Sequence, residues 1–130
     1  MNGASPFYVL LVGPLSDGPV GYLGNMRRFC DVASELTLAG FCPINPAPDA
    51  LEVFASPALT IEMLQRRTLQ MFRLAALAPA GRRAALCLGT HNGAGQVSRG
   101  SMVELSLCAD LSIPIVTTLD ELFDMRGTEP

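Results

Sequence analysis

The stretch SRGSMVE at 98–104 gathers a hydroxyl, a glycine and a carboxylate within seven residues. If a helix starts near Arg99 or Gly100, its free backbone N–H groups and the Ser98 hydroxyl form an anion site suited to a phosphate, and Gly100 allows close approach. Glu104 then falls in or just after the first turn, where the positive end of the helix favours an ionised carboxylate, the state a nucleophile needs. The same spacing equally fits a plain helix cap, with Ser98 or Ser101 accepting from the free amides and Glu104 complementing the dipole. His91 and Asn92 stand a few residues upstream. A histidine there can donate a proton near neutral pH, or can simply hydrogen-bond its own loop. The arginine pairs Arg27/Arg28, Arg66/Arg67 and Arg82/Arg83 are either local anion sites or solvated faces.

The elements that must position these residues are legible in the hydrophobic pattern. YVLLVG at 8–13 is a continuous apolar run ending at glycine, which predicts a central strand buried on both faces. The glycine-rich PLSDGPVGYLGN that follows reads as a ligand loop, with Asn25 capping a helix that Gly40 stops. FCPINPAPD gives a short strand with a proline-rich exit. A helical stripe runs from 60 to about 78 and is ended by Ala-Pro-Ala-Gly. AALCLG at 84–89 is a further buried strand, THNGAGQVSRG leads into the helix that carries Glu104, and IPIVT begins a last strand near 113. Thr118 and Glu121 have capping-box spacing ahead of a terminal helix.

Strand and helix alternating about four times require a Rossmann-like three-layer α/β domain with a mostly parallel sheet of about four to five strands. No repeat or linker divides residues 1–130, so the expectation is a single domain. Ligands of such sheets bind beyond the carboxyl ends of the strands, where the two glycine-rich loops should face one pocket.

Composition narrows the function classes. The chain has 130 residues, of which 49% are hydrophobic and 16% charged, which excludes a disordered segment or a coiled coil. The nine basic residues are all arginine and the net charge is −3, so no general field attracts a nucleic-acid polymer. Cys30, Cys42, Cys87 and Cys108 lack zinc-ligand spacing and His91 is the single histidine, so no metal is expected. The first residues, MNGASPFYVLLVGPL, carry no basic residue ahead of the apolar run and are broken by Gly13 and Pro14, so neither a signal peptide nor a spanning helix fits. Reduced thiols, a cytoplasmic location and no membrane are the matching expectations.

YVLLVGPLSDG, Asn25 with its helix, AGFCPINPAPD and SRGSMVELSLCADLSIPIV together resemble the nucleoside 2-deoxyribosyltransferase superfamily, including its small phage and bacterial members, over most of residues 8–117. The resemblance implies chemistry at an N-glycosidic bond of a nucleoside or nucleoside 5′-monophosphate, without metal or organic cofactor. It makes Glu104 the nucleophile that attacks the anomeric carbon. It places Ser98 and Gly100 on the phosphate, and Gly13, Ser16 and Asp17 beside the sugar and base. Tyr22, Asn25, Asp49, His91 and Asn92 follow as further substrate contacts. It also implies homo-oligomers in which a neighbour helps close the pocket.

The sequence departs from the family in having no Asp between Asp49 and Asp110, where members carry one on the helix before the third strand and one near that strand's start. Arginine, small or apolar residues occupy those places, in RRTLQ and GRRAAL. Asp17 and Asp49 are the candidates to supply the missing acid or to position the sugar, and Tyr22 or Asp17 is the candidate substitute for the family tyrosine, whose place Leu10 occupies. Two other readings stay open: a nucleotide-binding module without turnover, and an oligomeric interaction protein.

Overall fold

The computed structural model describes residues 5–15, 18–93 and 95–127, with side chains at all of these except 18–20, 50, 53 and 54. Its frame is a four-stranded sheet in the order β2-β1-β3-β4, with every pairing parallel. Strand β1 (Phe7–Val12) lies between β2 (Cys42–Ile44) and β3 (Arg82–Cys87), and β4 (Ile115–Val116) adds to the far side of β3. The Phe7↔Arg82 register runs unbroken to Val12↔Cys87.

Strand alternation sorts the core into two halves. Phe7, Val9, Leu11, Ala84 and Leu86 pack with Phe29 and Leu36 of α1 (Gly18–Leu38) and Leu122 of α5 (Leu119–Gly127). Leu10, Val12 and Ala85 face the other way, onto Phe72 and Ala75 of α3 (Ile61–Ala76) and Cys108 of α4 (Arg99–Asp110). Helices therefore cover both faces, which is the three-layer α/β architecture the alternation of elements predicts. A 3-10 turn (Ala47–Leu51) and the short α2 (Glu52–Ala55) fill the connection after β2, where the sequence shows only a proline-rich exit.

The cap expected at Thr118 is present, and Thr60 supplies another at the start of α3. The Thr60 hydroxyl accepts from the Met63 N–H at 3.2 Å, and Thr118 and Glu121 hydrogen-bond reciprocally around the start of α5. Past Leu38, the Phe41 N–H returns to the Leu36 carbonyl at 2.9 Å, so Gly40 does stop α1.

Several boundaries differ from expectation, and β4 is only the two residues Ile115–Val116. Helix α1 begins at Gly18, not after Asn25, so most of the expected ligand loop is helix. Three glycines between 18 and 24 argue against a helix on propensity. Pro19 is compatible with a first turn, where its missing N–H has no intrahelical partner to lose. Tertiary contacts decide the matter: Tyr22 and Phe29, seven residues apart on one helical face, are both buried, and the Tyr22 hydroxyl donates to the Ala47 carbonyl at 2.8 Å. Strand β3 also begins two residues earlier than its apolar run, because the Arg82 N–H bonds the Pro6 carbonyl at 3.0 Å.

The fold depends on close approach at the end of β1. A Cβ on Gly13 would lie 3.0 Å from the Phe29 Cζ and 3.3 Å from the Leu88 Cβ. Gly13→Ala is therefore expected to cost about 1–3 kcal/mol in urea denaturation. Adding Phe29→Leu should cost less in that background than in the wild-type protein, because the ring tip that clashes is gone; additive losses would contradict the contact.

Candidate active site

Because β1 connects outward to β2 and the chain then crosses back to β3, the sheet order reverses between β1 and β3. The crevice outside the carboxyl ends of those two strands is where open α/β sheets hold ligands. The residues after β1, β2 and β3 arrive at that edge, as does the N-terminus of α4.

The segment between β3 and α4 is a small folded excursion. His91 and Val97 form an antiparallel bridge, and the Ser98 N–H donates to the Thr90 carbonyl at 2.8 Å. Asn92 Oδ1 accepts from the Gln96 N–H at 2.9 Å and its Nδ2 donates to Gln96 Oε1 at 3.2 Å, so this side chain holds the turn together. His91 is exposed, with Nδ1 2.9 Å from the Thr90 hydroxyl.

Ser98 caps α4. Its Oγ accepts from the Ser101 N–H at 3.2 Å and from the Ser101 hydroxyl at 2.9 Å, which leaves its own proton to donate. Gly100 is tight against α3, since a Cβ there would stand 2.8 Å from Gln65 Nε2. The space over Gly100 that the phosphate assignment requires is thus shared with the Gln65 amide. Gln65 immediately precedes the RRTLQ stretch, so an amide stands at the helix where the resemblance leads one to expect an aspartate. Its type gave no signal of a site; only the α3–α4 packing brings it there.

Helix α4 buries Ser101, Glu104 and Cys108 on one face against the sheet. Glu104 is 9% exposed, and no described group hydrogen-bonds its carboxyl. Burial alone pushes its pKa up to about 8, and the neighbouring Cys108 thiol is raised to about 11 by its own burial and then by the Glu104 charge one turn away. The expectation of a carboxylate kept ionised by the helix dipole is thereby corrected. Glu104 lies in the second turn, where the dipole's effect has faded and desolvation dominates.

The remaining candidates divide. Tyr22 is buried with its hydroxyl on Ala47, and its pKa is raised by burial first, then by Cys30 and Asp49. Asn25, inside α1 and not at its cap, donates Nδ2 to the Leu15 carbonyl at 3.4 Å and so ties down the loop after β1. Asp49 lies 3.8 Å from Arg67, whose guanidinium is held by Glu52 at 2.8 and 3.3 Å. Ser16 and Asp17 lie outside the described residues. A shallow open groove of about 380 Å³ on the outer side of α3 and α4, reaching from Leu69 and Arg73 to Met102 and Asp110, includes none of these residues.

None of the four cysteines is in a disulfide. Among the described residues no three His, Cys, Asp or Glu side chains gather as metal ligands, and no helix is long and apolar enough to cross a membrane.

Glu104 has a stability consequence. Between its ordinary value of 4.5 and about 8, the folded protein holds a proton that the unfolded chain releases, so stability falls as pH rises through that window. Glu104→Gln removes the titration. Its stability relative to wild type should improve from pH 5 to pH 8 by on the order of a few kcal/mol, read from paired denaturation curves. A difference independent of pH would show that the carboxyl is not desolvated. Ser98→Ala should cost about 1 kcal/mol through the lost cap. Compared with known proteins, the chain matches no family model, no curated protein and no solved structure, so the functional argument rests on its own residues.

Proposed function

We propose that this protein cleaves or exchanges the N-glycosidic bond of a small nucleoside or nucleoside 5′-monophosphate, with Glu104 as the nucleophile. The observation that carries the reading is a largely buried Glu104 whose carboxyl has no hydrogen-bond partner among the described residues yet keeps a little solvent exposure, on the sheet-facing side of a helix whose N-terminus reaches the carboxyl edge. Structural carboxylates are normally paired when buried, and an unpaired one with a shifted pKa is a candidate functional group. The resemblance of SRGSMVE and its flanking elements to deoxyribosyltransferases supplies the reaction class.

In this mechanism an ionised Glu104 oxygen attacks the anomeric carbon while the bond to the base breaks. The electron pair leaves with the base, which takes up a proton, and a glycosyl ester remains on Glu104. Water or a second base then attacks the same carbon and releases Glu104. Asp17, in the segment after β1, is assigned to protonate the departing base, and His91 on the exposed turn after β3 is a further donor. Ser98 retains one proton to donate to the sugar or its phosphate. We assign this activity to a cytoplasmic homo-oligomer that uses no metal or organic cofactor.

A second reading, a nucleotide-binding module without turnover, is favoured by one observation. Burial holds Glu104 protonated at neutral pH, and the chain has no aspartate between Asp49 and Asp110 to assist it.

The two readings separate on chromatographic detection of free base from a panel of nucleosides and 5′-monophosphates, with and without an acceptor base. Glycosidic chemistry requires release or exchange that Glu104→Ala abolishes; retained release by that variant sinks the nucleophile. A nucleophile with a pKa of about 8 also requires kcat/KM to climb about tenfold per pH unit and level off above pH 8. A decline above pH 8 would instead make Glu104 the acid. Binding without any product favours the module.

A further inference from the structure

We infer that Arg28 is the anion anchor of the crevice at the carboxyl edge, and that the group it holds is a phosphomonoester. This deepens the glycosidic reading, which supplies the rest of the ligand: the substrate is the 5′-monophosphate and not the free nucleoside.

The inference starts from where the guanidinium lies. Side chains on a helix tilt toward its N-terminus, which for α1 is the carboxyl edge of the sheet. Arg28 Nη2 accordingly stands 3.6 Å from the position a Cβ would take on Gly89, just past β3, and Pro14 Cδ, just past β1, is 3.7 Å from the same point. The charge therefore rests over the junction of the two strands between which the sheet order reverses. Glycine at 89 keeps that junction low: its φ is +156°, and no side chain separates the guanidinium from the backbone.

Five of the other eight arginines are engaged, and Arg66, Arg73 and Arg99 are, like Arg28, without an ion pair or hydrogen bond among the described residues, but it is Arg28 whose guanidinium stands against Gly89. Arg27 pairs with Asp31 at 4.0 Å and Arg67 with Glu52 at 2.8 Å. Arg83 donates to the Ala78 carbonyl at 3.0 Å, Arg82 lies over the Phe7 ring, and Arg126 donates to the Ala39 carbonyl while covering Phe41. Arg28 has no ion pair or hydrogen bond among the described residues. In a chain of net charge −3, an unneutralised guanidinium at a ligand crevice is a local cation of the kind that binds oxyanions through two parallel N–H bonds.

The site at the start of α4 is less open to a phosphate. The Ser101 N–H and hydroxyl are already donated to Ser98 Oγ, and Gln65 crowds Gly100. Arg28 has neither restriction. It lies on α1, across the sheet from Glu104 on α4, so a ligand reaching over the strand ends would meet the cation at one end and the carboxyl at the other.

The test compares wild type with Arg28→Ala and Arg28→Lys. The substitution is on the exposed surface of a helix, and alanine preserves the helix. Inorganic phosphate is titrated into labelled protein while the Gly89 amide resonance is followed. The common deoxynucleosides and their 5′-monophosphates are then titrated by calorimetry at low and high salt. The expected result is a Gly89 shift with phosphate that Arg28→Ala abolishes, and a monophosphate preference of about tenfold or more that falls to near unity in Arg28→Ala. Arg28→Lys should retain part of that preference, and salt should weaken it in wild type. No phosphate-dependent shift at Gly89, or a shift and preference that survive Arg28→Ala, would overturn the assignment. An Arg28-dependent phosphate site with no base release from any nucleotide keeps the anchor and removes the glycosidic reading. Base release indifferent to Arg28 does the reverse.

Discussion

Everything in this fold hangs on a central strand that has no solvent face. Leu10, Leu11 and Val12 have no measurable exposure, and β1 is paired on both edges. A strand so enclosed must be apolar on both sides, and its alternation then commits one set of residues to α1 and α5 and the other to α3 and α4. Six residues thereby fix the layers, the placement of the four long helices, and the point at which the connections diverge to either side. The crevice follows from the same constraint, because it exists only where β1 and β3 leave the sheet together.

At that edge, burial and electrostatics compete over a single carboxyl. A helix N-terminus favours negative charge near its first turn, whereas removal from water penalises it anywhere. Glu104 is set beyond the first turn and on the sheet-facing side, so the second effect prevails. A neutral carboxyl beside a thiol and a hydroxyl costs the fold little at low pH and progressively more as pH rises.

The polar residues around it illustrate how one side-chain type serves two ends. Tyr22, Asn25 and Asn92 each hydrogen-bond to backbone or loop partners and so hold the segments beyond the strand ends in place. Ser98 both caps a helix and keeps a proton. Arg28, by contrast, is exposed and has no ion pair or hydrogen bond among the described residues, so it adds nothing evident to the packing.

The sequence by itself determined the class of fold, because unbroken apolar runs of strand length and amphipathic stretches of helix length can be satisfied in few ways. It also determined the caps at Ser98 and Thr118, whose hydrogen bonds span only three residues, and the place of Glu104 within its helix, since helix phase is local. Tertiary structure decided the rest. Helix α1 extends back to Gly18 although its glycines oppose it, because Tyr22 gains a distant carbonyl and a buried face. The protonation of Glu104 was decided by how deeply α4 packs, and the neighbours of Gly100 and Gly89 by helices 35 and 61 residues earlier in the chain. Propensity and spacing act over a turn or two, while desolvation and contact between distant elements depend on which surfaces meet, and no local pattern records that.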